Sequence, residues 1–153
     1  MADSPARAVR VWRRAVGHAV ASHPTSDVDP DQRALQVTML LEETQELLSA
    51  VADGRLPEIA HEVADVVIVA YGLGDLFGLD VDRAVDEVMR ANATKLTGGR
   101  PVLRADGKVL KGPRYQPPDM RTVVELTRVF GRSSDLPIPP ATALRAPMVM
   151  PDG

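Results

Sequence analysis

Apolar residues recur at helical spacing along most of the chain, broken by a few strong stop signals. Ser4-Pro5 places a capping residue before a proline at the first helical position, and Val9, Trp12, Val16 and Val20 follow at three- and four-residue steps. A first helix is expected to about Ser22. The loop HPTSDVDP ends in Asp29-Pro30, which repeats the start signal, and a second helix should run to about Asp53 with Gly54 as its stop. Pro57 opens a third helix that Gly78 closes. Asp80 caps a fourth, DVDRAVDEVMRANATKL, which ends before Gly98-Gly99. In PVLRADGKVLKGPRY, Asp106-Gly107 lies between Val-Leu pairs, the pattern of a small β-hairpin. Asp119 should cap a fifth helix to about Phe130, with Gly131 after it. From Arg132 onward five prolines fall within 22 residues, and 132–153 is expected to be a disordered, proline-rich tail. The expectation is an all-α domain of four or five helices over residues 1–131, carrying one short hairpin-like loop.

Two of these helices carry acids where apolar residues dominate. The second contains Leu-Leu-Glu42-Glu43-Thr-Gln-Glu46-Leu-Leu, and at 100° per residue its three glutamates fall within about a 100° arc. Val37, Met39, Leu40, Leu41, Leu47, Leu48 and Val51 surround them and are expected to be buried. The third reads VADVVIVAY from Val63 to Tyr71, apolar on every side except for Asp65, with Glu62 just before it. An ionised carboxylate in such surroundings costs roughly several kcal/mol unless something positive pairs with it. Glu43 and Asp65 are equidistant in sequence from Gly54, as are Glu46 and Glu62. In an antiparallel hairpin turning near Gly54 these pairs lie side by side at matching heights. EExxE alone is common as a solvated stripe on an amphipathic helix. It is the second motif, ExxD in mirrored register inside an apolar helix, that points to a cation. Four oxygen donors with no lysine or arginine within either motif suit Mg2+ or Mn2+ rather than zinc.

Composition narrows the chemistry further. With no cysteine, disulfides, thiolate metal sites and cysteine nucleophiles are excluded. Aromatics are 3% of the chain, so the core must be built from Val, Leu, Ala, Ile and Met. MADSPARAVRVWRRAV has no uninterrupted apolar stretch and is neither a signal peptide nor a membrane anchor, so no membrane partner is expected and the default location is cytoplasmic. The net charge of −3 conceals an asymmetry: residues 24–97 carry a net −10 and residues 98–153 a net +4. An acidic middle followed by a basic segment argues against a nucleic-acid binder and suits a site where cations and polyanions meet.

EETQE followed by EVAD resembles the EExxE…ExxD pattern of the all-alpha nucleotide pyrophosphohydrolases, the MazG and phosphoribosyl-ATP pyrophosphohydrolase-like superfamily. NATKL and RADGKVLKGPRYQPPD are similar to the phosphoribosyl-ATP pyrophosphohydrolase-like branch, which includes MazG-like dUTP-hydrolysing proteins. The likeness covers about residues 8–119. It implies a MazG-like fold assembled as a homodimer or dimer of dimers, with helices of two chains building each site. It also implies that Glu43, Glu46, Glu62 and Asp65 are metal ligands, and that the products are a nucleoside monophosphate and pyrophosphate. Histidine-biosynthetic members carry a histidine shortly after the ExxD aspartate, where this chain has VVIVAYG. The departure favours a nucleoside triphosphate, dUTP among the candidates, over phosphoribosyl-ATP.

The remaining candidates follow from what such a reaction needs: charge neutralisation at the phosphates, an activated water and cations for the leaving group. Glu42, one turn from Glu46 and outside the four-ligand set, is the candidate general base, or a ligand to a second metal, or a surface residue. By the resemblance Asn92 and Lys95 contact nucleotide or phosphate; otherwise Lys95 complements the C-terminal end of its helix dipole. Lys108, Lys111 and Arg114 form a basic, glycine-containing loop able to close over a triphosphate, or else a solvated charged hairpin. Trp12, at a periodic apolar position, is expected in the core. His18, His23 and His61 show no metal-ligand spacing and receive no role; Asp82, Asp86 and Glu87 belong to an exposed face. The competing function is a non-catalytic, metal- or nucleotide-binding helical module.

Overall fold

Three aspartates realise the start signals directly in the computed structural model, which describes residues 4–135. Asp29 accepts hydrogen bonds from the backbone N–H groups of Asp31 and Gln32 and starts the longest helix. Asp80 does the same for Arg83 N–H and Asp119 for Thr122 N–H. The five helices are α1 (Pro5–Ala15), α2 (Pro30–Asp53), α3 (Leu56–Leu76), α4 (Val81–Ala93) and α5 (Met120–Phe130), with a short 3-10 turn at Ser133–Asp135. Among the described residues none lies in a β-strand and no helix is long and apolar enough to cross a membrane.

Three elements are shorter than the periodicity suggested, α4 among them, since it ends at Ala93 rather than near Leu96. α1 stops at Ala15 rather than near Ser22, because Gly17 takes a left-handed conformation (φ +79°) and His18 N–H closes back onto the Arg13 carbonyl. The hairpin at 101–115 is reduced to one isolated antiparallel bridge, Leu103 with Val109, around Gly107 at φ +87°. Residues 101–110 are all exposed, so nothing packs behind the ladder to extend it.

α2 and α3 form an antiparallel hairpin turning at Gly54 (φ +71°), and α1 lies across α3. A polar seam joins these three helices. The Arg13 guanidinium donates to Gln36 Oε1 and to the Ala19 carbonyl, and Gln36 Nε2 donates to the Val69 carbonyl at 3.1 Å. Burial lowers the pKa of Arg13, and Gly72 makes room for its head: a Cβ there would sit 2.7 Å from the guanidinium. A second buried lattice holds the open end of the hairpin. Arg10 Nε donates to Asp75 at 2.8 Å, and the Arg10 guanidinium also reaches Ser134 and Asp135. Arg132 donates to the Leu79 and Ala21 carbonyls, while Ser133 donates to Asp80. Residues 132–135, counted with the tail in the sequence reading, thus pack onto α1, α3 and α4; the tail from 136 lies outside the described residues.

Apolar burial departs sharply from expectation. Val9, Ala50, Val69, Leu76, Ala91 and Val123 are buried, yet Leu41 is 67% exposed and Trp12 63% exposed. Val37, Leu48 and Val51 on α2, and Val63, Val67 and Ile68 on α3, are exposed as well, while Met39, Leu40 and Leu47 are half-buried. Among the described residues, α2 and α3 pack on each other and on α1, and these apolar faces are left uncovered.

Candidate metal centre

The mirrored register about Gly54 places acids of the two helices opposite one another. Gln36 of α2 meets Val69 of α3, and nearer the turn Glu43 and Glu46 meet Glu62. One ligand-capable oxygen each from Glu43, Glu46 and Glu62 lies within 4.8 Å of the others. Glu62 is the deepest, with its side chain 14% exposed; Glu43 is half-buried, and Glu46 and Glu42 are open to solvent. Asp65, one turn on from Glu62, forms a second group with Glu62 and His61, again within 4.8 Å. Glu62 is common to both.

The electrostatics are those of a site short of positive charge. Burial of its carboxyl, then the neighbouring carboxylates of Asp65, Glu46, Glu62 and Glu42, raise the Glu43 pKa above the ordinary value. Glu62 Oε2 is buried without a hydrogen-bond partner. A buried carboxylate oxygen with no donor costs about 1–3 kcal/mol or more, and a cation is the kind of group that removes that cost. Oxygen donors from two rigid helices, with an open side toward solvent, fit a hard divalent ion. A cavity of about 310 Å³ adjoins Glu46 and Glu62, with Arg55 on its rim held by Asp53 and Glu58.

The basic candidates lie elsewhere. Lys95, Lys108 and Lys111 line a cavity of about 470 Å³ together with Arg104, which the sequence reading did not select. The Tyr115 ring sits among them, 4.8 Å from Lys111 Nζ and 6.0 Å from Lys95 Nζ. Arg104 was concealed by its position inside the hairpin motif, where it pairs with Asp106 at 2.5 Å. Arg114 is exposed and outside this lining, and the Asn92 amide is also outside it, 4.0 Å from Met89 Sδ. No residue lines both this cavity and the one beside the carboxylates.

The acids of α4 are not simply an exposed face. Asp82 accepts from the Tyr71 hydroxyl at 2.7 Å, a bond that pushes the phenol up to about 12. Glu87 is held at about 2, first by its hydrogen bonds from Arg90 and then by the Asp119 N–H, and so ties α4 to the start of α5. These two pairings are internal, while Asp86 stays exposed and lines the cavity between α4 and α5.

Comparison with known proteins adds two findings. A family model described as phosphoribosyl-ATP pyrophosphohydrolase matches residues 9–92, which contain the whole carboxylate centre and stop short of the basic loop. An uncharacterized protein of Acanthamoeba polyphaga mimivirus is 34% identical over 79 residues, 50% of this chain and 32% of the viral protein. The chain therefore aligns with about a third of that relative's length.

Proposed function

The chain belongs to the phosphoribosyl-ATP pyrophosphohydrolase family, whose model spans more than half of it, and on that premise we propose that it is a Mg2+-dependent nucleoside triphosphate pyrophosphohydrolase. The observation that carries the reading is the convergence of Glu43, Glu46 and Glu62 within 4.8 Å, with Glu62 Oε2 buried and unpartnered. Glu43, Glu46, Glu62 and Asp65 hold divalent metal, with Mn2+ able to replace Mg2+. When bound, such an ion neutralises phosphate charge and makes water more acidic. Glu42, beside this group on α2, accepts the proton of the attacking water. Attack at the α-phosphorus breaks its bridging bond to the β-phosphate and releases a nucleoside monophosphate and pyrophosphate. Lys95, Lys108 and Lys111, with Asn92 and Arg114, donate to the oxygens of the triphosphate. Among the described residues of one chain, the basic cavity and the cavity beside the carboxylates share no lining residue. The exposed apolar residues of α2 and α3 support a homodimer or dimer of dimers as the assembly in which they meet.

The family's own description favours a second substrate, phosphoribosyl-ATP, which offers the same triphosphate chemistry. The stretch Val66–Tyr71, which lacks a histidine, supports the nucleoside triphosphate instead. The test is a panel of (d)NTPs, including dUTP, alongside phosphoribosyl-ATP, with Mg2+ in 18O-labelled water. The expected result is label in a nucleoside monophosphate, with pyrophosphate and no orthophosphate. Turnover of phosphoribosyl-ATP alone would replace the substrate assignment, and labelled orthophosphate with a diphosphate left over would overturn the reaction itself.

A further inference from the structure

His61 carried no assignment in the sequence, yet it stands at the edge of the carboxylate centre. Its Nε2 lies 3.1 Å from Asp65 Oδ2 and its Nδ1 lies 3.4 Å from Glu62 Oε1. The i,i+4 step from His61 to Asp65 puts both on one helical face, the spacing by which a helix offers two ligands to one metal. Two donors each about 2.1 Å from an ion are roughly 3 Å apart when they subtend a right angle, so the observed separation needs little adjustment. His61 is 72% exposed, which leaves its ring free to turn and leaves room on the ion for water or substrate.

Glu62 gives this position its meaning. It belongs to both groups, one of oxygens alone with Glu43 and Glu46, the other mixed with His61 and Asp65. Its Oε1 faces His61 while its Oε2 is buried with no partner, so the two oxygens are free to serve different ions. We propose that His61 is a nitrogen ligand, making the centre a pair of unlike positions bridged by Glu62. The Glu43–Glu46–Glu62 side takes Mg2+, and the His61–Glu62–Asp65 side takes an ion that accepts nitrogen beside oxygen more readily than Mg2+ does, such as Mn2+ or Co2+. Imidazole is a poor donor to Mg2+ and a good one to the later divalent ions, so the second position discriminates between them. This inference rests on the carboxylates being a metal centre and adds a donor and a metal preference to it.

The experiment uses the full-length, tag-free protein. Mg2+ and Mn2+ binding are measured by calorimetry, and pulsed electron paramagnetic resonance of the Mn2+-loaded protein looks for coupling to 14N. Wild type should show nitrogen coupling, and His61→Ala should abolish it; His18 and His23 remain in the variant as controls. His61→Ala should weaken Mn2+ binding about tenfold or more and leave Mg2+ binding within about twofold. Absence of nitrogen coupling in wild type, or unchanged Mn2+ affinity in His61→Ala, would overturn the proposal and leave His61 a plain ion-pair partner of Glu62 and Asp65. Failure of the metal-centre reading looks different: wild type would bind neither ion, or Glu46→Gln would bind both as wild type does.

Discussion

Replacing Asp75 with alanine should cost this protein a large part of its stability. The Asp75 side chain is 3% exposed, and Arg10, bonded to it at 2.8 Å, is 4% exposed. Arg132 is equally buried and approaches the same oxygen at 3.6 Å. Truncation leaves two guanidinium groups in a nearly dry site, with Asp135 as the remaining nearby anion and that one half-exposed. Removing one partner of a buried pair typically costs about 3–5 kcal/mol. Asp135 should hold the loss toward the lower end. Since small domains are stable by about 5–15 kcal/mol, Asp75→Ala should consume a fifth or more of the total. At about 2–4 °C per kcal/mol for a chain of this length, the melting temperature should fall by roughly 6–20 °C. Asp75→Asn keeps the shape and an acceptor oxygen and should fall between. Urea unfolding followed by circular dichroism, at one fixed protein concentration, measures both. A change under about 0.5 kcal/mol for Asp75→Ala, the range of an ordinary surface substitution, would refute the claim that this lattice holds the open end of the α2–α3 hairpin.

Other outcomes concern the acidic and basic sites. Excess EDTA should abolish hydrolysis, and Glu46→Gln and Asp65→Asn should each lower kcat by at least about 10²-fold with folding intact, as for other positioned charges at active sites; turnover in EDTA would remove the metal from the mechanism. Lys111→Ala should raise KM or lower kcat by about tenfold, roughly 1.4 kcal/mol, whereas deleting residues 136–153 should change neither more than about twofold. A silent Lys111→Ala with a dead deletion variant would move the phosphate contacts out of the basic cavity. For Glu43 the sign is set by its raised pKa: the folded metal-free protein binds this proton more tightly than the unfolded chain. Stability should therefore fall as pH rises through the carboxylate range, and Glu43→Gln should remove that component. Paired urea titrations across pH 4–7 read the difference, and identical profiles for the two proteins would contradict it.

What the sequence made legible was local and periodic. The N-caps at Asp29, Asp80 and Asp119, the stops at Gly54 and Gly131, and the mirrored placing of acids about Gly54 are short-range facts with strong geometric consequences. Arg10, Asp75 and Arg132 were not legible as one lattice, since their meeting depends on how three separated segments pack. Arg10 and Asp75 also read as ordinary charged positions of amphipathic helices. His61 differs: the sequence reading found no metal-ligand spacing for it, because one histidine four residues before an acid is too common to select until the turn of α3 brings Glu62 into the same group.

The misjudged burial of Trp12, Leu41, Leu48 and Val51 teaches something more specific. Hydrophobic periodicity reports which face of a helix avoids water, and carries no information on whether its cover comes from the same chain. α2 is flanked by α3 along one side, and the leucines bracketing Glu42, Glu43 and Glu46 include exposed ones on the chain's own surface. Each fully covered Leu or Val side chain would contribute about 1.5–3 kcal/mol, a gain that the described residues leave unrealised. The carboxylates sit in the midst of this uncovered apolar surface, so whatever covers it also sets how much water reaches Glu43 and Glu62. A cover of low polarity strengthens every interaction between those acids and a cation or phosphate, because it lowers the local dielectric. Burial of the apolar stripe and competence of the acidic centre are then one event, and a substitution such as Leu48→Glu should weaken both together although Leu48 is no member of either carboxylate group.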